Sequence, residues 1–189
     1  MKYLDHFYID GRFVDARARQ QREVISPASE ELVGKIAMGT DADVTAAVES
    51  ARRAFRTFSI SKPSERAELL RRILVCFDNK REEFAQRITM EMGAPITFSR
   101  EAQVAGSRAH IVDTIRVLEQ FSFERAFGAT LLAFEPVGVC GLITPWNFPI
   151  LQIVTKVMPA LAAGCTIVIK PSEYAPLSPI LFAEVCHEA

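Results

Sequence analysis

Two short apolar stretches, residues 137–143 (Val-Gly-Val-Cys-Gly-Leu-Ile) and 165–169 (Cys-Thr-Ile-Val-Ile), bracket a segment with helical period. In that segment Ile150, Ile153, Val154, Val157 and Leu161 fall on one stripe. Uniform apolarity over so few residues predicts strands of a parallel sheet, buried on both faces. Strand, helix and strand in so short a span is a βαβ unit. Each predicted strand runs straight into a polar, proline-framed turn: Thr144-Pro145-Trp146-Asn147-Phe148-Pro149 after the first, Lys170-Pro171-Ser172-Glu173 after the second. Open α/β sheets bind ligands at the carboxyl ends of their strands, so these turns are the first candidates for chemistry.

The remaining sequence narrows the class. The chain has 189 residues, 49% hydrophobic and 24% charged, which suits a globular domain or one and a half. Its net charge of −1 gives no electrostatic basis for binding nucleic acid or an anionic membrane. Residues 1–13 mix charged and apolar groups and show no signal peptide. The longest apolar run, residues 150–169, is interrupted by Gln152, Lys156, Pro159 and Gly164, too polar for a membrane span. The four cysteines, Cys76, Cys140, Cys165 and Cys186, form no CxxC pair, so neither a metal site nor a disulfide framework is expected. Buried thiols in a reducing cytoplasm are the expectation.

Ahead of the βαβ unit, Asp10-Gly11 predicts a hairpin turn and residues 26–30 a second turn between short strands. Four helices are expected next. The first starts at Thr40, a capping hydroxyl followed by Asp41 and Asp43. The second opens at Pro63, the third covers residues 81–92 before Gly93, and the fourth covers residues 98–121. Residues 123–139 predict an extended hairpin turning at Gly128, and a last helix begins at Ser178. The fold class is α/β: an incomplete Rossmann-like parallel sheet preceded by strands and helices. The predicted segments are 1–122, a bridging hairpin at 123–136, and 137–189. A sheet of two parallel strands leaves edges unpaired, so the chain is expected to be the N-terminal part of a longer protein.

Several residues admit both a structural and a chemical reading. Asn147 suits the N-cap of the helix after it; equally, its amide could donate into the crevice and stabilise a developing oxyanion. Lys156, among apolar neighbours on its helix, reads as a lysine snorkelling at the helix margin. Lys170 and Glu173 are either an exposed ion pair or two hydrogen-bonding partners for ribose hydroxyls, and a carboxylate there disfavours a ribose 2′-phosphate. No Gly-x-Gly-x-x-Gly occurs, so a dinucleotide would not be held by the usual glycine turn. His6, His110 and His187 are scattered along the sequence and no catalytic role is assigned to them.

Four motifs in order, Glu135-Pro136-Val137-Gly138-Val139, Pro145-Trp146-Asn147-Phe148-Pro149, Pro159-Ala160-Leu161-Ala162-Ala163-Gly164 and Lys170-Pro171-Ser172-Glu173, resemble the aldehyde dehydrogenase superfamily. Ile9-Asp10-Gly11 and Ser26-Pro27-Ala28 are similar to its opening segments. The resemblance implies NAD(P)-dependent oxidation of an aldehyde to a carboxylic acid through a cysteine thiohemiacetal and thioester. It implies that Ile143, Thr144, Pro145 and Trp146 line the cofactor pocket and that Lys170, Ser172 and Glu173 hold the adenosine end. NAD is favoured, with NADP as the alternative. Asn147 would serve the oxyanion, and Lys156 a proton relay or cofactor contact. The hairpin would help a homodimer or homotetramer form. The family's nucleophilic cysteine and general-base glutamate map to no residue here, so these 189 residues alone are expected to be inactive. The competing readings are a catalytically silent nucleotide-binding module and a reductive acyl-transfer relative.

Overall fold

The computed structural model describes residues 4–16 and 20–189; residues 1–3 and 17–19, within the predicted first segment, lie outside the described residues. Strands β1 (His6–Ile9) and β2 (Arg12–Asp15) pair antiparallel. Asp10 and Gly11 between them both take positive φ, 58° and 72°, as a two-residue type I′ turn requires. Strands β3 (Gln21–Ile25) and β4 (Leu32–Ala37) form the second antiparallel pair. Its turn is closed by Ser26 N donating to Glu31 O at 2.9 Å and Glu30 N to Ser26 O at 2.8 Å.

The first helices start where their capping residues predict. In α1 (Asp41–Phe58) the Thr40 hydroxyl accepts from Asp43 N, and the Asp43 carboxylate accepts from Thr40 N at 2.9 Å. In α2 (Pro63–Asn79), Glu65 accepts from Lys62 N at 2.7 Å and Pro63 fills the first turn. Helix α3 (Arg81–Met92) stops at Gly93 in the left-handed conformation. The single helix expected at 98–121 is interrupted. A short α4 (Ile96–Phe98) passes into a π-helical segment (Ser99–Val104) before α5 (Ala105–Gln120). The widened turns contain buried polar groups: Gln103 donates to Met92 Sδ at 3.1 Å, and the Ser107 hydroxyl donates to Gln103 O at 2.6 Å. A hydroxyl bonding back to that carbonyl competes with the regular ladder.

Strands β5 (Glu124–Phe127) and β6 (Thr130–Ala133) form the expected hairpin, exposed along its whole length. Strand β7 (Val139–Ile143), helix α6 (Pro149–Ala162), strand β8 (Thr166–Lys170) and helix α7 (Leu177–Glu188) complete the chain. Strands β7 and β8 are parallel, in register from Val139 opposite Thr166 to Ile143 opposite Lys170. This is the predicted βαβ unit.

The expectation that residues 137–143 are buried on both faces fails. Val137 is 89% and Ile143 78% exposed, and Cys140 is only half-buried. Among the described residues strand β7 pairs with β8 alone, which leaves its outer edge without a strand beside it. The core lies among the helices instead: α6 packs against α5, α2, α7 and β8. Phe77 and Phe84 stack at 4.7 Å within it. Between α6 and β8, Gly164 has φ +87°, and a Cβ there would lie 2.9 Å from the Arg66 guanidinium, so only glycine makes this corner without displacement.

Candidate functional site

The two proline-framed turns are neighbours. Ile143 pairs with Lys170 at the ends of β7 and β8, and Thr144 N donates to Lys170 O at 3.2 Å, extending the ladder into the first turn. The Thr144 hydroxyl is buried and Oγ1 has no hydrogen-bond partner. Beyond it Pro145, Trp146 and Asn147 are exposed, the tryptophan by 55%. Pro149 occupies the first turn of α6 as predicted, which places Phe148, not Asn147, at the N-cap. The helix has no side-chain cap, so the capping reading of Asn147 is not realised. The Phe148 ring packs edge-on against Phe98 at 6.1 Å.

The second turn is held by its own side chains. Lys170 Nζ lies 2.8 Å from Glu173 Oε2, and this hydrogen bond holds the Glu173 carboxyl below its usual range, with Arg22 adding to the effect. Ser172 is buried and its Oγ accepts from Tyr174 N at 3.2 Å. The Arg22 guanidinium sits over the Tyr174 ring at 4.4 Å. Lys156 is not drawn into either turn. Its ammonium donates to Gln152 O at 3.2 Å and Gln152 Oε1 at 2.8 Å within α6.

A cleft of about 360 Å³ opens beside the turns. Trp146 of the first turn and Tyr174 and Ala175 after the second line it, together with Glu91 and Met92 of α3. Asn147, Lys170, Ser172 and Glu173 do not line this cleft. Sequence reasoning missed Glu91, a single glutamate in a helix with nothing nearby to single it out. Only three per cent exposed, it accepts hydrogen bonds from Leu177 N, from Ser178 N at 3.1 Å and from the Ser178 hydroxyl at 2.5 Å. Burial pushes its carboxyl up to about 7 against those donors.

The cysteines lack the setting of a nucleophile, Cys76 being packed against the helical core. Burial raises the thiol of Cys140 and pushes that of Cys186 up to about 12, while Cys165 is buried. Among the described residues no cluster of three His, Cys, Asp or Glu side chains could hold a metal ion, and no helix is long and apolar enough to cross a membrane.

This geometry coincides with that of a known group of enzymes. Residues 13–189 match the model of the aldehyde dehydrogenase family, and the chain belongs to that family. It is 45% identical, over all of its length and 40% of the relative's, to a 3-succinoylsemialdehyde-pyridine dehydrogenase of Pseudomonas sp. It superposes with a TM-score of 0.96 and 44% identity on a mutant of aldehyde dehydrogenase C from Pseudomonas syringae in complex with NAD+ and octanal, covering 98% of this chain and 38% of that one. With a Mycobacterium tuberculosis aldehyde dehydrogenase complexed with NAD+ the TM-score is 0.93 at 33% identity, covering 97% and 39%. The α/β fold is therefore the Rossmann-like fold of these enzymes. The chain spans about 40% of the length of the curated relatives it matches.

Proposed function

We propose that this chain supplies the nucleotide-binding crevice of an NAD-dependent aldehyde dehydrogenase that oxidises an aldehyde, with water, to a carboxylic acid. The observation that carries the reading is the junction at the strand tips, where Ile143 faces Lys170 and Thr144 N reaches Lys170 O at 3.2 Å. Ligand binding at the carboxyl ends of parallel strands is the rule for such sheets. NAD-bound structures among the chain's neighbours support the choice of cofactor.

In this reading Lys170 and Glu173 hydrogen-bond the adenosine ribose, and Ser172 shapes the turn between them. Ile143, Thr144, Pro145 and Trp146 line the cofactor path. The buried, unpartnered Thr144 Oγ1 is a polar atom suited to such a contact. When bound, NAD+ supplies the hydride acceptor. The Asn147 amide, exposed and not engaged in capping, donates to the oxyanion that forms when the aldehyde carbon is attacked. Lys156 acts as a relay or cofactor contact once released from Gln152. The Glu173 carboxylate favours NAD over NADP. The nucleophilic thiol and the general base belong to the part of the relatives' length that this chain does not span, a reading supported by the raised thiols of Cys140 and Cys186 and by the packing of Cys76 and Cys165 into the interior. Segments 1–122 and 137–189 together form the nucleotide-binding part. The hairpin of segment 123–136, with Phe127 82% and Leu131 62% exposed, joins subunits in a homodimer or homotetramer.

The test is cofactor-dependent oxidation by the full-length polypeptide across an aldehyde panel that includes octanal and 3-succinoylsemialdehyde-pyridine. NADH production with at least one aldehyde is expected. Its absence across the panel, with a folded protein that also fails to bind NAD+, rejects the reading.

A further inference from the structure

The first N–H groups of a helix have no partner within the helix and are ordinarily capped by the residue just before it. Helix α7 departs from this. The residue before it is Pro176, and no local side chain caps the helix. Its opening N–H groups, on Leu177 and Ser178, are instead taken by Glu91, 86 positions earlier on α3. The Ser178 hydroxyl adds a third donor at 2.5 Å. One turn before Glu91, Arg87 donates to Leu177 O at 2.9 Å, so α3 holds both the N–H and the carbonyl of Leu177. Arg87 itself is met by Glu83 at 2.6 Å and Glu184 at 3.5 Å.

This clamp sits at one end of a short, stiff segment. Residues 171–176 run from the end of β8 to the start of α7, with Pro171 and Pro176 at their two ends. The other end is fixed by the β7–β8 ladder and its extension from Thr144 N to Lys170 O. Ser172 and Glu173 lie between the two anchors, and Glu91 shares its cleft with Trp146 and Tyr174.

We propose that Glu91 is a positioning residue for nucleotide binding: its carboxylate fixes the start of α7 and thereby the geometry in which Lys170, Ser172 and Glu173 meet the adenosine ribose. The inference rests on the ribose role given to those residues under the proposed function. Glu91 touches neither cofactor nor substrate. It acts through the backbone of Leu177 and Ser178, so its removal loosens cofactor binding and spares the chemical step.

The experiment is steady-state kinetics of the full-length protein with Glu91→Gln, which keeps the volume but turns one acceptor oxygen into an NH₂ facing backbone donors. Loss of one such buried hydrogen bond predicts a rise in KM for NAD+ of about tenfold, with kcat and the aldehyde KM within about twofold. Ser178→Ala, which deletes one donor and preserves the clamp's backbone bonds, is expected to raise the same KM by roughly threefold. It decides the matter if Glu91→Gln does not fold. An unchanged KM for NAD+ alongside a lowered melting temperature would make Glu91 a stability residue only and overturn the proposal. Lys170→Ala and Glu173→Ala, assayed in parallel, separate the two ideas. If they raise the KM for NAD+ and the Glu91 and Ser178 variants do not, the ribose role stands and the positioning role falls. If none of the four raises it, the ribose role falls and takes the positioning role with it.

Discussion

The two turns at the tips of β7 and β8 are fastened in opposite ways. The second is tied by the Lys170–Glu173 ion pair, by Ser172 under Tyr174 N, by Arg22 over Tyr174 and by Glu91 at the start of α7. The first has one backbone bond to Lys170, a buried hydroxyl without a partner, and an exposed Trp146-Asn147 pair followed by an uncapped helix. A pre-formed turn suits binding, because little ordering entropy remains to be lost when ligand arrives. A sparsely tied amide suits a group whose partner is a charge that develops only during reaction.

The sharpest way to break this contrast is Asn147→Ala in the full-length protein. kcat is expected to fall by about 10²–10³, as loss of an oxyanion donor does elsewhere, with the melting temperature unmoved because no cap depends on the amide. A lowered melting temperature with intact turnover would place Asn147 in the scaffold. Next in size, if Glu173 has the ribose role proposed for it, Glu173→Ala is expected to raise the KM for NAD+ by about tenfold and to shift preference toward NADP. Competition kinetics with the two cofactors reads the shift.

The third test concerns pH. The Glu91 carboxyl, at about 7 in the folded protein, lies above its unfolded value of 4.5, so folding favours its protonated form. The stability this contributes is complete below pH 4.5 and is lost as pH rises to about 7. The wild-type melting temperature is therefore expected to decline relative to that of Glu91→Gln across that interval, by roughly 2–4 °C in calorimetry. Parallel curves would show that Arg87 and the helix donors already hold the charged form. The smallest effect is on stability in Lys170→Ala. Its ion pair joins side chains 62% and 29% exposed, so the variant is expected to lose no more than about 1 kcal/mol in denaturant unfolding.

Much of this was legible in the sequence because it depends on neighbours along the chain. The Thr40 cap, the Asp10-Gly11 turn, the βαβ period and the two turns after apolar strands are all local signals. What escaped depends on distant partners. Asn147 and Phe148 compete for one cap position, and the ring packing of Phe148 on Phe98 is invisible in one dimension. The π segment carries Gln103, whose contact with Met92 of α3 no local signal marks. Val137 lies ahead of β7 and Ile143 is its last residue, so both sit at the ends of the strand, where apolarity alone implied cover on both faces. Glu91 looked like any helical glutamate until α7 was brought against it.

That last contact also bears on how the protein acquires its shape. A bond between residues 86 positions apart closes a large loop, whereas β7, α6 and β8 assemble from consecutive sequence. Local pieces form early and such long-range ties late. Weakening the Glu91 tie is thus expected to hasten unfolding while leaving the refolding limb of a chevron plot almost in place.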